Sequence, residues 1–434
     1  MDDGFPHTKM EGTAHVHSGR TEVLISCHNF HRTRTKTKYN TMIDTTKSFF
    51  LAPPNMMNAP SSSAVTPPPT DKTAPLSLAS HGEGVRVVRL SDIHGNAWRD
   101  TENTAGLRPC VNFAISEPFQ LLTPASAAHL KDVALRELGG ESEYSTARTS
   151  ACIRGSPALE GLMKSMQPEL EDMATRLVGN GMRLKMVKMN LEHAHLNVQR
   201  EVQDHPVDNW HQDSTPFVLI IILTDHTNDP GGNLLVRHNG TGTKQDQTYR
   251  WKLTKPGEAC LVQGSHIWHM AQQSEVGERF TLVTSFYCDD PVVYDITSIN
   301  AGLQYSDPVC AVNQFLDHCL SRISENAVIV QRLALVSPSA ALDCNMIIKR
   351  EVEKMIHQYQ SGWQLIPTER KTLPVTEVWS QFQEIVVALD DAIVGCKRDQ
   401  EIFHYVGDVA KRMHGIVLNS SNKSTMVRQV SACF

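Results

Sequence analysis

The spacing of apolar residues changes character several times along the chain. Residues 1 to about 82 show no sustained period. The stretch Ala52–Pro75 is crowded with Pro, Ser, Ala and Thr, which bury too little apolar surface to offset the entropy of ordering. A disordered Pro/Ser-rich arm is expected over 1–82, with order beginning near Val85. Residues 111–115 (VNFAI) read as a strand. Thr123-Pro124 then opens a helix that Gly139 closes, the usual asymmetry of helix ends. A second helix starts at Ser156-Pro157, where Leu159, Leu162, Met163, Met166, Leu170, Met173 and Leu177 follow the 3.6-residue period. Pro168 inside that stripe predicts a kink or a break. Residues 83–180 therefore read as a mixed strand and helix support region.

From 181 to 292 the period shortens. RLKMVKMN (183–190) alternates, and FVLIIILT (217–224) is an unbroken apolar run suited to a strand buried on both faces. Turn signals at Asp229-Pro-Gly-Gly232 and Lys255-Pro-Gly257 precede short strands at Leu234–Arg237 and Ala259–Val262, and Phe280–Tyr287 is a further strand. Short strands so spaced argue for a β-sandwich or barrel rather than a βαβ fold. Beyond Pro291 the period returns to helical. Ile348, Val352, Met355, Ile356 and Tyr359 mark one stripe; Val378, Phe382, Ile385, Val386, Leu389 and Ile393 mark another. Residues 293–434 read as a helical extension, and no internal repeat is visible.

Composition narrows the function classes. The 434 residues carry 41 basic and 47 acidic side chains, a net charge of −6, with 40% hydrophobic residues. That balance gives no reason to expect a nucleic-acid or membrane-surface partner. The basic run HNFHRTRTKTKYN (28–40) reads as a solvated arm. The longest aliphatic and aromatic stretch, 217–223, is far short of a bilayer span. MDDGFPHTKM lacks the features of a secretory leader, and Met56 and Met57 mark an alternative start. Ten cysteines without a CxxC pair indicate neither a disulfide framework nor a thiolate zinc site. A reduced, cytoplasmic setting is expected, in which the NGT at Asn239 would go unglycosylated.

Candidate chemistry concentrates between Trp210 and Tyr287. On an extended backbone His211 and Asp213, two residues apart, project to the same side and can share one metal ion. GSHIWHM offers a third ligand in His266 or His269. Two imidazoles and one carboxylate on one face of an ion leave the opposite face open, the arrangement of non-heme Fe(II) centres that activate oxygen.

HQD, DPGG and KPGEACLVQGSHIWHMAQQSEVGERFTLVTSF together resemble the Fe(II)/2-oxoglutarate-dependent dioxygenases, particularly the prolyl 4-hydroxylase-like group. The resemblance covers about 110 residues, roughly 181–290. It implies an α+β fold with a double-stranded β-helix (jelly-roll, cupin-like) core at 181–292. It implies iron held by His211, Asp213 and His269, with Arg279 on the far carboxylate of 2-oxoglutarate and Thr281 assisting. His269 is preferred to His266 because it lies ten residues before Arg279, the spacing of the family. Asn190, His193, His195, Asn197 and Arg200 fall where the family often places cosubstrate and substrate contacts, although plain strand or loop roles are the commoner fate of such positions. Asp225 is expected to cap a turn, and Trp210 and Trp268 to pack as walls.

The implied activity is oxidation, most simply hydroxylation, of a C–H bond with conversion of 2-oxoglutarate and O₂ to succinate and CO₂. A small-molecule substrate is the first expectation and a protein or peptide side chain the second. Two other classes share the scaffold: a non-catalytic metal-binding protein, and a cupin-like hydrolase or isomerase that would need neither Arg279 nor 2-oxoglutarate. Oligomeric state is left open by the sequence.

Overall fold

The computed structural model describes residues 76–94, 111–138, 143–144, 152–153, 156–179, 181–187, 194–237, 248–291, 293–299, 303, 308–336 and 338–366. Most of the expected arm, the basic run at 28–40, Asn190, His193, Asn239 and the stripe from Val378 to Ile393 lie outside them. In chain order the elements are β1 (Val87–Val88), α1 (Leu90–His94), β2 (Ile115–Ser116), β3 (Phe119–Gln120), α2 (Pro124–Glu137), β4 (Glu143–Tyr144), β5 (Cys152–Ile153), α3 (Pro157–Val178) and β6 (Leu184–Met186). They continue with β7 (Ala194–Gln199), β8 (Asp208–His211), β9 (Phe217–Ile222), β10 (Leu234–Arg237), β11 (Thr248–Trp251), β12 (Glu258–Val262), β13 (Trp268–Ala271), β14 (Arg279–Cys288), α4 (Pro308–Val336) and α5 (Pro338–Leu365).

The strands form two antiparallel sheets. The larger runs β1-β2-β12-β9-β14-β7-β5-β4, with β3 beside β12 and β6 beside β14; the smaller runs β11-β10-β13-β8. β9 shows why its sequence is unbroken. Leu219 and Ile221 face a core shared with α2 and α3, while Ile220 and Ile222 face Leu234, Val236 and Trp251 of the small sheet. A strand covered on both faces has no use for alternation. Residues 76–82, which composition assigns to the arm, run along the support layer: Ala79 N–H donates to the Leu121 carbonyl and Thr123 N–H to that of Ser77.

Both support helices start as their caps predict. Thr123 accepts from Ser126 N–H at 3.2 Å, and Ser156 from Leu159 N–H at 3.2 Å, satisfying donors that the first turn leaves unpaired. α3 passes through Pro168 without the break that Pro predicts. Pro168 and Lys164, whose carbonyl loses its partner, both lie on the exposed side of the helix, where water can replace the missing bond. No helix among the described residues is long and apolar enough to cross a membrane.

Beyond β14 the described residues 289–291 and 293–299 form a strap held by the two long C-terminal helices. Arg322 of α4, only 1% exposed, donates to the carbonyls of Cys288, Asp290 and Val293 and pairs with Glu351 of α5 at 3.0 Å. Glu351 accepts from Asp295 N–H, and the Asp295 carboxylate meets His318 Nε2 at 2.7 Å. Lys354 donates to the carbonyls of Asp295 and Thr297. Burial opposes the charge on Asp295, but Lys354 and His318 outweigh it and hold its carboxyl well below the usual range. At its far end the strap donates Ser298 N–H to the Ser214 carbonyl at 2.8 Å.

Breaking this clamp from one side leaves a buried charge alone. Arg322→Met is expected to destabilise the fold by about 3–5 kcal/mol in urea denaturation, and Arg322→Met combined with Glu351→Met to recover part of that loss.

Candidate metal centre

The central strand of the large sheet sets one wall of the site. β14 is hydrogen-bonded on both sides, with Thr281 opposite Asn197 of β7 and Ile222 of β9. Strand alternation then turns Arg279, Thr281, Val283 and Ser285 to one face, and all four line a cavity of about 60 Å³ between the sheets. That is room for about four to six waters. His195 and Asn197 of β7 join the same wall. The small sheet supplies the other: His269 of β13 pairs directly with His211 of β8, and their rings lie 4.2 Å apart.

Asp213 stands between them just past the end of β8. Its Oδ1 lies 3.4 Å from His211 Nε2 and its Oδ2 3.3 Å from His269 Nε2. One ligand atom from each of the three residues falls within 4.8 Å of the others. Ligands at right angles on an ion with bonds near 2.1 Å stand about 3.0 Å apart, so a small contraction would seat a first-row divalent ion. The ring tautomers suit that use. His211 Nδ1 lies 2.6 Å from the Asn209 carbonyl and His269 Nδ1 3.1 Å from that of Ile267. A carbonyl only accepts, so each Nδ1 carries the hydrogen and each Nε2 offers its lone pair inward.

Space for the carboxylate is made by an absent side chain. Asp213 N–H donates to the Gly264 carbonyl, and a Cβ on Gly264 would stand 1.8 Å from Asp213 Oδ2. Oδ2 is buried without a hydrogen-bond partner. Burial works against ionisation of Asp213, yet the facing His269 and His211 hold its carboxyl well below the usual range. For His269 the sign is opposite: burial lowers its pKa, the Asp213 charge outweighs this, and the net shift is upward.

On the facing wall Arg279 is 2% exposed, and its Nε and Nη1 have no hydrogen-bond partner. Burial pushes its pKa down to about 10, so it is still a cation near neutrality. Thr281 Oγ1 and Asn197 Oδ1 beside it are also buried without partners. Buried donors are seldom left in this state, and a carboxylate is the complement that a guanidinium fork fits best.

Other sequence candidates fall elsewhere. His266 is buried, bonded through Nδ1 to Ser265 Oγ at 2.7 Å, and does not line the cavity. Arg200 is exposed beyond β7. Asp225 Oδ1 accepts from Thr227 N–H, a turn cap as expected. Trp210 and Trp268 neighbour cavity-facing histidines on their strands and so face outward. Between them they hold the Arg237 guanidinium, at 4.6 and 5.1 Å from the ring centres.

Two features carry no obvious sequence signal. Asp208, 5% exposed, lines the cavity with its Oδ2 3.6 Å from His211 Nε2. Behind Arg279 lies a buried relay: Phe280 N–H donates to Thr224 Oγ1, which meets His226 Nε2 at 2.7 Å, while His226 Nδ1 meets Asp229 Oδ2 at 2.8 Å. Asp229 Oδ1 accepts from the N–H groups of Gly231 and Glu275. The DPGG segment is thus a turn, as its composition predicts, and also an anchor for the strand carrying Arg279.

No protein-family model and no curated protein sequence matches the chain. Solved structures similar to it include a 2OG-Fe(II) oxygenase family oxidoreductase from Burkholderia pseudomallei, at 12% identity over 38% of this chain and 78% of that one, TM-score 0.27. A Pseudomonas putida prolyl-4-hydroxylase matches at 13% identity over 39% and 91%, TM-score 0.29. The non-heme alpha ketoglutarate dependent carbocyclase SnoK from nogalamycin biosynthesis matches at 14% over 46% and 86%, TM-score 0.32. These likenesses are faint, and the site stands on its own geometry.

Gly264→Ala is expected to weaken Mn(II) or Zn(II) binding by about 10–100-fold or more without loss of the far-ultraviolet circular dichroism of the fold. His226 gives a pH dependence. Burial, together with the charge of Arg279, holds its pKa below the usual histidine value. As pH falls, the unfolded chain takes up that proton first, from about pH 6.5. Stability should therefore decline from there down through the folded value, and His226→Gln should remove that part of the slope in urea denaturation repeated across pH.

Proposed function

We propose that the chain is an Fe(II)- and 2-oxoglutarate-dependent dioxygenase that oxidises a C–H bond of a small organic molecule, with residues 181–292 as a double-stranded β-helix core. The observation that carries this reading is the pairing of two half-empty sites across one cavity. An open-faced His211–Asp213–His269 set lies on the small sheet, and Arg279, with two orphaned donors, lies on the large sheet. A metal-binding scaffold or a metal hydrolase would need the first and has no use for the second. Ligands on one sheet and the cosubstrate anchor on the other is also the division of labour that a double-stranded β-helix provides.

Bound iron would supply oxygen activation and C–H oxidation, coupled to conversion of 2-oxoglutarate to succinate and CO₂. The protein's own residues do the rest. His211 and His269 present lone pairs whose direction their Nδ1 hydrogen bonds fix, and Asp213 would supply one negative charge to a bound ion. Arg279 would take the distal carboxylate of the cosubstrate and so orient it along the cavity. Thr281, two residues on and facing the same way, donates its hydroxyl to the same carboxylate. Val218, Ile220 and Leu234 keep the intervening space poorly solvated, which strengthens each of these charge-assisted contacts.

Anaerobic titration with Fe(II) and then 2-oxoglutarate should produce the visible metal-to-ligand charge-transfer band of bidentate chelation. Each charge-assisted bond contributes about 1.5–3 kcal/mol, so Arg279→Ala should weaken 2-oxoglutarate binding by about a hundredfold or more while iron affinity is retained. His269→Ala should lose iron itself. A protein that binds iron but shows no band at saturating 2-oxoglutarate would exclude this activity.

A further inference from the structure

Arg279 is the first residue of β14, and the end of a strand is where pairing frays most readily. On one side it lies opposite Gln199 of β7. On the other, the ladder to β9 stops at Thr281↔Ile222, two residues short of it. Two further bonds extend the pairing toward Arg279. Leu223 N–H donates to the Phe280 carbonyl at 2.9 Å, and Phe280 N–H donates to the hydroxyl of Thr224 at 3.1 Å. A side chain thus takes the place of a strand at the peptide that follows Arg279.

That hydroxyl is itself held. A carboxylate only accepts, so His226 Nδ1 carries its hydrogen toward Asp229, and Nε2, 2.7 Å from Thr224 Oγ1, accepts the threonine proton. With its hydrogen committed to His226, Thr224 Oγ1 is left to accept from Phe280. Thr224, His226 and Asp229 are all buried, and a buried polar network whose members are satisfied is rigid. The glycines of DPGG make room for it. Gly232 sits at φ +69°, and a Cβ there would stand 2.9 Å from Asp229 Oδ2; one on Gly231 would stand 2.5 Å from the Gln273 carbonyl. From the β7 side, Gln199 binds the N–H and the carbonyl of Ser274 at 2.7 and 2.8 Å, which holds the turn that leads into β14.

A buried carboxylate and imidazole cost more than apolar side chains of the same volume. What they secure here is the backbone beside one cation, Arg279, whose Nε and Nη1 await a partner in the cavity. We infer that Thr224, His226 and Asp229 are positioning residues: they fix how far Arg279 reaches into the cavity and so set the length of the dicarboxylate keto acid that the site accepts. The keto acid rests on the function proposed above; the holding of Arg279 for a carboxylate does not.

The test uses the full chain loaded with Mn(II), with keto acid binding followed by titration calorimetry. The unaltered protein should bind 2-oxoglutarate about tenfold or more tightly than 2-oxoadipate, which is one methylene longer. Thr224→Val keeps the shape of the side chain and removes the acceptor. It should weaken 2-oxoglutarate by about tenfold and bring the ratio between the two acids below about threefold, while Mn(II) affinity stays within about threefold. Thr224→Ser, which keeps the hydroxyl, should retain the ratio of the unaltered protein. His226→Phe keeps a ring but neither nitrogen; it should behave as Thr224→Val does, and it gives the same reading if that variant fails to fold by circular dichroism. An unaltered protein that does not discriminate between the acids would overturn the inference. So would variants that keep the ratio, or that lose Mn(II) and keto acid in parallel, which marks a general loss of structure. If the unaltered protein holds Mn(II) but binds neither keto acid, the dioxygenase reading falls. Butyrate, which asks only for Arg279, then carries the comparison through the broadening of its methyl resonance by Mn(II). Weaker butyrate binding in Thr224→Val sustains the positioning role; equal binding, or none to the unaltered protein, overturns it.

Discussion

The arrangement of the site depends on the double pairing of β14. A strand hydrogen-bonded along both edges cannot rotate or slide without losing two ladders, so the facing direction of each of its residues is fixed. Phe280, Leu282 and Phe286 are thereby committed to the core under α2 and α3, and Arg279 and Thr281 to the opposite face. An arginine on that face is expensive to bury, and the two ladders fix it there. The Thr224–His226–Asp229 relay reinforces the same strand from behind by giving Phe280 N–H a partner at the point where the ladder ends.

Much of this could be read in the sequence because the strongest signals are local. HQD places two candidate ligands on one side of an extended segment, and the ten residues from His269 to Arg279 carry the chain from the small sheet to the large one. The apolar run from Phe217 marked its own burial on both faces, and the serine and threonine caps marked the helix starts. What escaped depends on register, which the sequence does not display. Asp208 looks like a residue facing away until the bulge against β13 is known. His226 and Asp229 look like parts of a polar turn until Thr224 and Phe280 meet them. Trp210 and Trp268 were expected as walls, but which side of the sheet they occupy follows from their histidine neighbours, and they enclose Arg237 instead. Pro168 was expected to interrupt α3, and its solvent-facing position removes most of the cost.

The C-terminal helices are more than an appendage to the β-strands. Arg322, Glu351, Lys354 and His318 converge on a segment with no regular secondary structure, and that segment ends on the carbonyl of Ser214, the residue following Asp213. Backbone groups in irregular segments must find partners from somewhere, and here charged side chains from two helices supply them. The loop bearing Asp213 is thus held on one side by Gly264 and on the other by a strap that the helices anchor.

The ligand set also has a mechanical consequence. His211 and Asp213 belong to one edge of the small sheet, whereas His269 arrives from the neighbouring strand after a long excursion through β9 to β12. An ion bound by all three is a cross-link, closing that excursion into a loop much as a disulfide would. It closes the loop beside a bulge that has already weakened the ladder. Holo protein should therefore open its small sheet less often than apo protein, so metal occupancy sets the local rigidity of the wall that carries His211 and His269.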